Sequence, residues 1–113
     1  MYAFTTTTQH PSERVADLLI TAVETVSAYW CSNISQKHEG DIYDISNPDW
    51  KWEVTVGDSG KVVTITRAEL QEGLKIFQEV VPHQFSLWVN EGDDAITADC
   101  FFQCTVLKDV IYG

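Results

Sequence analysis

The chain has 113 residues, 44% of them hydrophobic and 21% charged, close to the average of soluble globular domains and far from the composition of disordered chains. Seventeen acids against seven lysines and arginines give a formal charge of −10, which excludes nucleic acid and anionic membrane as partners for most of the surface, because phosphates are repelled. That length predicts one domain over residues 1–113, able to bury about two thirds of its unfolded surface without help from a metal or cofactor.

Residues 1–9 (M-Y-A-F-T-T-T-T-Q) are rich in threonine and aromatic side chains, which suits an edge strand or an arm laid over a neighbouring surface. His10-Pro11-Ser12-Glu13 is a helix start: proline is tolerated in a first turn, and an acid is favourable at the positive helix end. Val15, Leu18, Leu19, Ala22, Val23, Val26, Tyr29 and Trp30 recur at three-and-four spacing, which predicts one helix over about residues 12–31. Residues 32–48 have no sustained period and carry Gly40, Asn47 and Pro48, so they read as a long connection, a class of segment that often carries function.

From Trp50 to Val56 apolar and polar residues alternate, and Asp58-Ser59-Gly60 supplies a turn into the β-branched run Lys61–Thr66. This is a hairpin. Thr66-Arg67-Ala68-Glu69 matches a capping box, so a second helix starts there, with Leu70, Leu74, Phe77 and Val81 as its apolar face and Pro82 as its stop. Residues 83–90 form a short helix or turn, and Asn90–Asp94 an acidic loop whose carboxylates favour the start of a third helix over about residues 95–108. The apolar segment Val110–Tyr112 is expected to pack. The fold class is therefore α+β, with about three helices on a small antiparallel sheet centred on the 50–66 hairpin and open to extension by residues 1–9.

Catalytic motifs are absent. His10, His38 and His83 and the cysteines Cys31, Cys100 and Cys104 form no paired metal-ligand spacing, so the thiols read as small core residues and no metal site is expected. There is no nucleophile elbow, Walker loop or dinucleotide-binding glycine pattern, and pairings such as Cys31 with His38 or His83 are unremarkable in any chain with three cysteines. The chain reads as a non-enzymatic binding protein without a cofactor. Its odd cysteine count, with Cys100 and Cys104 one helical turn apart, fits a reducing cytoplasm. The longest apolar stretch, Leu18–Val23, is too short to span a bilayer, and residues 1–15 lack the pattern of an export signal.

Two surfaces are candidates for binding. Tyr29, Trp30 and Asn33, where helix one meets the long connection, offer stacking and hydrogen-bonding groups, while Lys51 and Arg67, or Lys75, can neutralise a phosphate. Trp50 and Trp52 share one strand face and read as core. The acids Glu39, Asp41, Asp44 and Asp49, with Glu91, Asp93 and Asp94, offer instead a row of charges toward a basic protein.

The segment V-S-A-Y-W (Val26–Trp30) and the run D-D-A-I-T-A-D-C-F-F-Q-C-T-V-L-K-D-V-I-Y-G (Asp93–Gly113) resemble short uncharacterised accessory proteins of tailed bacteriophages. Those carry a Ser-Asn-Tyr-Trp-like segment and a Thr-Ala-Asp-x-Phe-x-Gln helix with a Tyr-Gly ending. Ala28 departs from that pattern, as do Leu107 and Lys108. The resemblance implies a protein of the infected bacterial cytoplasm that counters host defence. One expectation is sequestration of a small nucleotide signal at Tyr29, Trp30, Asn33, Lys51 and Arg67, at the interface of a homo-oligomer. The alternatives are acidic mimicry of nucleic acid toward a host nuclease or CRISPR effector, and an interaction role in the virion or as a regulatory subunit.

Overall fold

A computed structural model describes residues 2–57, 59–92 and 94–112, the side chain of residue 26 excepted. Asp58 of the expected turn, Asp93 of the acidic loop, Val26 of the first apolar stripe, and Met1 and Gly113 therefore lie outside what is described. The architecture is α+β: four α-helices pack with a two-stranded and a three-stranded antiparallel sheet.

Strands β1 (Ala3–Thr5) and β2 (Gln9–Pro11) form a small hairpin, with Phe4 opposite His10. Both of these side chains are buried, and the hairpin is a sheet of its own rather than an extension of the 50–66 hairpin. The reason is local. The Gln71 amide accepts from Thr5 N–H at 2.7 Å and donates to Thr5 C=O at 2.5 Å, so a side chain of the second helix fills the place of a neighbouring strand.

Helix α1 (Ser12–Thr21) buries Val15, Leu18 and Leu19. The single helix expected to residue 31 ends ten residues early. Ala22–Val26 is a π turn, in which Ser27 N–H reaches back five residues to Ala22 C=O, and Ser27–Tyr29 is a 3₁₀ turn. The inserted π residue rotates the chain, so that Ser27 and Trp30 both point inward.

Cys31 opens β3 (Cys31–Gln36), which corrects the reading of residues 32–48 as a connection throughout. β3 pairs with β4 (Lys51–Val56), which pairs in turn with β5 (Val62–Thr66), giving the order β3-β4-β5. β4 alternates as expected, with Trp52, Val54 and Val56 buried. Burying a side chain of this size contributes about 1.5–3 kcal/mol, so this face anchors the sheet.

The capping box forms at Thr66, whose N–H donates to Glu69 Oε1 at 2.9 Å and whose hydroxyl donates to the same oxygen at 2.8 Å. Helix α2 (Arg67–Val80) follows and stops before Pro82, which opens α3 (Pro82–Val89). Asp94 caps α4 (Ala95–Leu107) by accepting from Thr97 N–H at 3.1 Å.

Every residue of α4 from Thr97 to Val106 is buried, which marks it as the central helix rather than an amphipathic surface one. Gly73 permits that position. A Cβ there would lie 2.2 Å from Thr105 Oγ1 and 2.6 Å from Thr105 Cα, so α2 closes on α4 only because residue 73 has no side chain.

Candidate functional site

Three surfaces near the sheet concern function: a buried polar cluster, a cleft beside it, and the loop that joins β3 to β4. The cluster centres on Asp99 in α4. Its Oδ1 accepts from Ser27 Oγ at 2.7 Å and Trp30 Nε1 at 2.7 Å, and its Oδ2 accepts from Tyr29 Oη at 2.6 Å and Gln103 Nε2 at 2.9 Å. Four donors match the four lone-pair sites of a carboxylate. One turn further on, Gln103 Oε1 accepts from the N–H groups of Ile111 and Tyr112 at 2.9 Å each, which ties down the segment after α4.

This arrangement decides what Tyr29 and Trp30 can do. Trp30 is 1% exposed, stacked nearly parallel on Tyr112 with ring centroids 6.1 Å apart and flanked by Phe102 at 5.3 Å. It presents no face to a ligand. The Tyr29 ring is half exposed, but its hydroxyl is turned inward; desolvation, then the hydrogen bond and charge of Asp99, push its pKa up to about 12. Asp99 and Gln103 were not singled out by sequence reasoning. The available signal was a polar pair four residues apart in a helix otherwise apolar on every side.

A shallow cleft of about 270 Å³ lies beside the cluster, lined by Val23, Ala28, Cys31, Ser32, Asn33 and Ile34 among others. The volume is just below that of ordinary small-molecule sites. Among the described residues no lysine or arginine lines it. Burial pushes the Cys31 thiol up from its ordinary value, as it does those of Cys100 and of Cys104, the last to about 12; all three are protonated at neutral pH.

Lys51 and Arg67 stand elsewhere. Lys51 is opposite residue 37, four residues along the sheet from Asn33 and so roughly 13 Å away. Arg67 follows Thr66, the partner of Lys51; it lies over the Tyr2 ring at 3.8 Å and donates to Ser46 C=O at 3.0 Å. Lys75 is exposed on α2, two turns beyond. The structure thus divides the five expected ligand-binding residues: Tyr29, Trp30 and Asn33 at one end of the sheet, Lys51 and Arg67 at the other.

The loop of residues 37–50 lies at that second end. It has no regular secondary structure, yet its polar groups are closely accounted for. Ile42 C=O accepts from both Trp50 Nε1 at 2.8 Å and Trp52 Nε1 at 3.1 Å. His38 accepts from Lys51 N–H at Nδ1 (3.1 Å) and donates from Nε2 to Asp41 C=O (3.0 Å). Gln36 Nε2 donates to Gly40 C=O at 2.7 Å, and Asn47 Nδ2 to Glu39 C=O at 3.2 Å. Ile45 and Trp50 are each 1% exposed and fix the loop to the core.

What this frame displays is acidic. Glu39, Asp41, Asp44 and Asp49 are all exposed. Among the described residues the ion pairs are Lys37 with Glu53 and Lys108 with Glu72, and none of these four acids takes part in one. Glu91 and Asp94 are exposed on the α3–α4 loop, where Asp94 is committed to capping α4.

No helix among the described residues is long and apolar enough to cross a membrane. No protein-family model matches this chain, and no curated protein and no solved structure matches it either.

Proposed function

We propose that this chain is a non-enzymatic accessory protein that acts by binding a basic protein, with the carboxylates of the 37–50 loop as the contact. The observation that carries the reading is the preorganised display of Glu39, Asp41, Asp44 and Asp49 on a loop pinned by two buried residues and two indole hydrogen bonds. Fixing charged groups before encounter lowers the ordering cost of binding, and a net charge of −10 steers a basic partner toward them. The resemblance to tailed-phage accessory proteins supplies the context: the infected bacterial cytoplasm, with a nuclease or CRISPR effector of host defence as the partner whose nucleic-acid surface is mimicked.

Sequestration of a small nucleotide is the second reading, favoured by the cleft that Asn33 lines. In that reading the cations for a phosphate come from another subunit, because the cleft has none of its own and Lys51 and Arg67 are distant.

Host lysate passed over the immobilised protein and eluted from about 50 mM to about 500 mM salt separates the two. The first reading predicts a basic protein retained at low salt, released as salt rises, and lost when Glu39, Asp41, Asp44 and Asp49 are changed together to the matching amides. Retention that ignores both salt and the amide variant contradicts it. A rise in melting temperature with a nucleotide, unaffected by that variant, moves the assignment to the cleft.

A further inference from the structure

β3 is one of the two outer strands of the three-stranded sheet, and part of its main chain has no partner among the described residues. Lys37 N–H donates to Lys51 C=O at 2.8 Å, and Val56 N–H donates to Lys61 C=O at 2.8 Å. With Ser35 opposite Glu53 and Trp52 opposite Ile65, residues 51, 53 and 55 of β4 turn their N–H and C=O groups toward β3, and residues 52, 54 and 56 turn theirs toward β5. Residues 33, 35 and 37 therefore bond to β4. The N–H and C=O groups of Ile34 and Gln36 point away from it, along the outermost strand of the sheet.

Natural proteins guard such edges with lysine, proline or inward-pointing charge. β3 has none of these across Cys31–Gln36; its one guard is the bulge between Cys31 and Asn33, which lies before Ile34 and Gln36. Two further features lie along the same line. The cleft with Val23, Ala28 and Ile34 opens beside the strand, and at its other end the chain runs directly into Glu39 and Asp41.

We propose that the β3 edge is a docking strand for an extended basic segment of the partner protein. The segment pairs with the N–H and C=O groups of Ile34 and Gln36, seats a small apolar side chain in the cleft, and brings lysines or arginines to Glu39 and Asp41. Charge selects this occupant over a second copy of the chain, which would bring a further −10 to an acidic neighbourhood. The inference rests on the basic-partner reading and adds to it the mode of engagement.

The test is amide hydrogen exchange and NMR titration of the full chain with a short alternating lysine–valine peptide, with a glutamate–valine peptide as control. The lysine peptide should slow exchange at Ile34 and Gln36 by about tenfold or more, and leave Asn33 and Ser35, already bonded to β4, unchanged. Ile34→Pro removes an N–H that the native sheet does not use, and should abolish the protection at Gln36 while preserving the β4–β5 hairpin. Ile34→Lys, which guards the edge by charge, gives the same loss should proline disturb the strand.

If the lysine peptide perturbs Glu39 and Asp41 but protects neither Ile34 nor Gln36, the docking strand is overturned and the basic-partner reading stands. Equal protection by the glutamate peptide overturns the basic chemistry itself. Protection of Ile34 and Gln36 that grows with protein concentration and needs no peptide gives the edge to a second copy and overturns the proposal.

Discussion

A carboxylate in the middle of an apolar helix is tolerated only when its lone pairs find donors, and Asp99 meets Ser27, Tyr29, Trp30 and Gln103. The segments Val26–Trp30 and 94–112 meet here: the first supplies three of the donors, and the second supplies the acceptor and the fourth. Their shared function in this fold is to join the turn after α1 to α4 and to hold the segment Ile111–Tyr112. Asp99→Ala leaves the buried Ser27 and Trp30 donors without their acceptor, while Gln103 Nε2 keeps Tyr112 C=O at 2.9 Å. At about 1–3 kcal/mol for each stranded group, it should destabilise the fold by on the order of 4 kcal/mol. Tyr29→Phe removes the hydroxyl that donates to Asp99 at 2.6 Å and accepts from Gln103 Nε2 at 3.1 Å, but from a half-exposed ring whose partners keep other bonds, and should cost about 1 kcal/mol. Urea denaturation of both variants measures this, and equal losses would show that the cluster is not organised by the acid.

At the scale of elements, the β1–β2 hairpin is held by His10, which packs on Trp88 at 4.8 Å and faces Thr6 Oγ1 through Nε2 at 2.9 Å. Desolvation, then the nearby Arg14 charge, lower its pKa below the ordinary 6.5. In the window between the lowered value and 6.5 the unfolded chain binds more protons than the folded one, so stability rises with pH through that window. The contribution is complete above 6.5 and is lost as pH falls below it. Denaturation midpoints measured from about pH 7.5 down to about pH 5.5 should fall more steeply for the native chain than for His10→Gln. Parallel curves would remove His10 as the titrating group.

The elements also show where sequence reading stops. β4, the capping box at Thr66, the break at Pro82 and α4 were legible because each has a strong local signature: alternation, paired cap residues, a missing N–H, an acidic start before a long apolar run. β3 was not, because an edge strand of sequence C-S-N-I-S-Q has only Cys31 and Ile34 as apolar residues, three apart, and leaves no alternation to detect. The end of α1 was hidden for the opposite reason. Its apolar spacing continues through Trp30, while the chain leaves the α-helix in a π turn after which Ser27 and Trp30 both donate to Asp99, a long-range contact with no local signature. Of the candidate site, the acids were visible in composition, whereas the separation of Asn33 from Lys51 and Arg67 depends on strand register.

For the whole molecule, a charge of −10 is joined to an acidic loop anchored by Ile45 and Trp50. All four tryptophans are buried, and Trp50 and Trp52 serve the loop by donating to Ile42 C=O rather than by walling a pocket. The central claim is that residues 37–50 are fixed before any partner arrives. Amide hydrogen exchange of the free protein tests it without knowledge of the partner. Ile45, Asn47 and Trp50, whose N–H groups donate to Tyr43, Asp44 and Asn47 C=O at 2.9, 3.1 and 3.1 Å, should exchange about tenfold or more slowly than a free chain. Exchange of these three amides at free-chain rates would mean that the loop is not preorganised and would contradict the proposed function at its base.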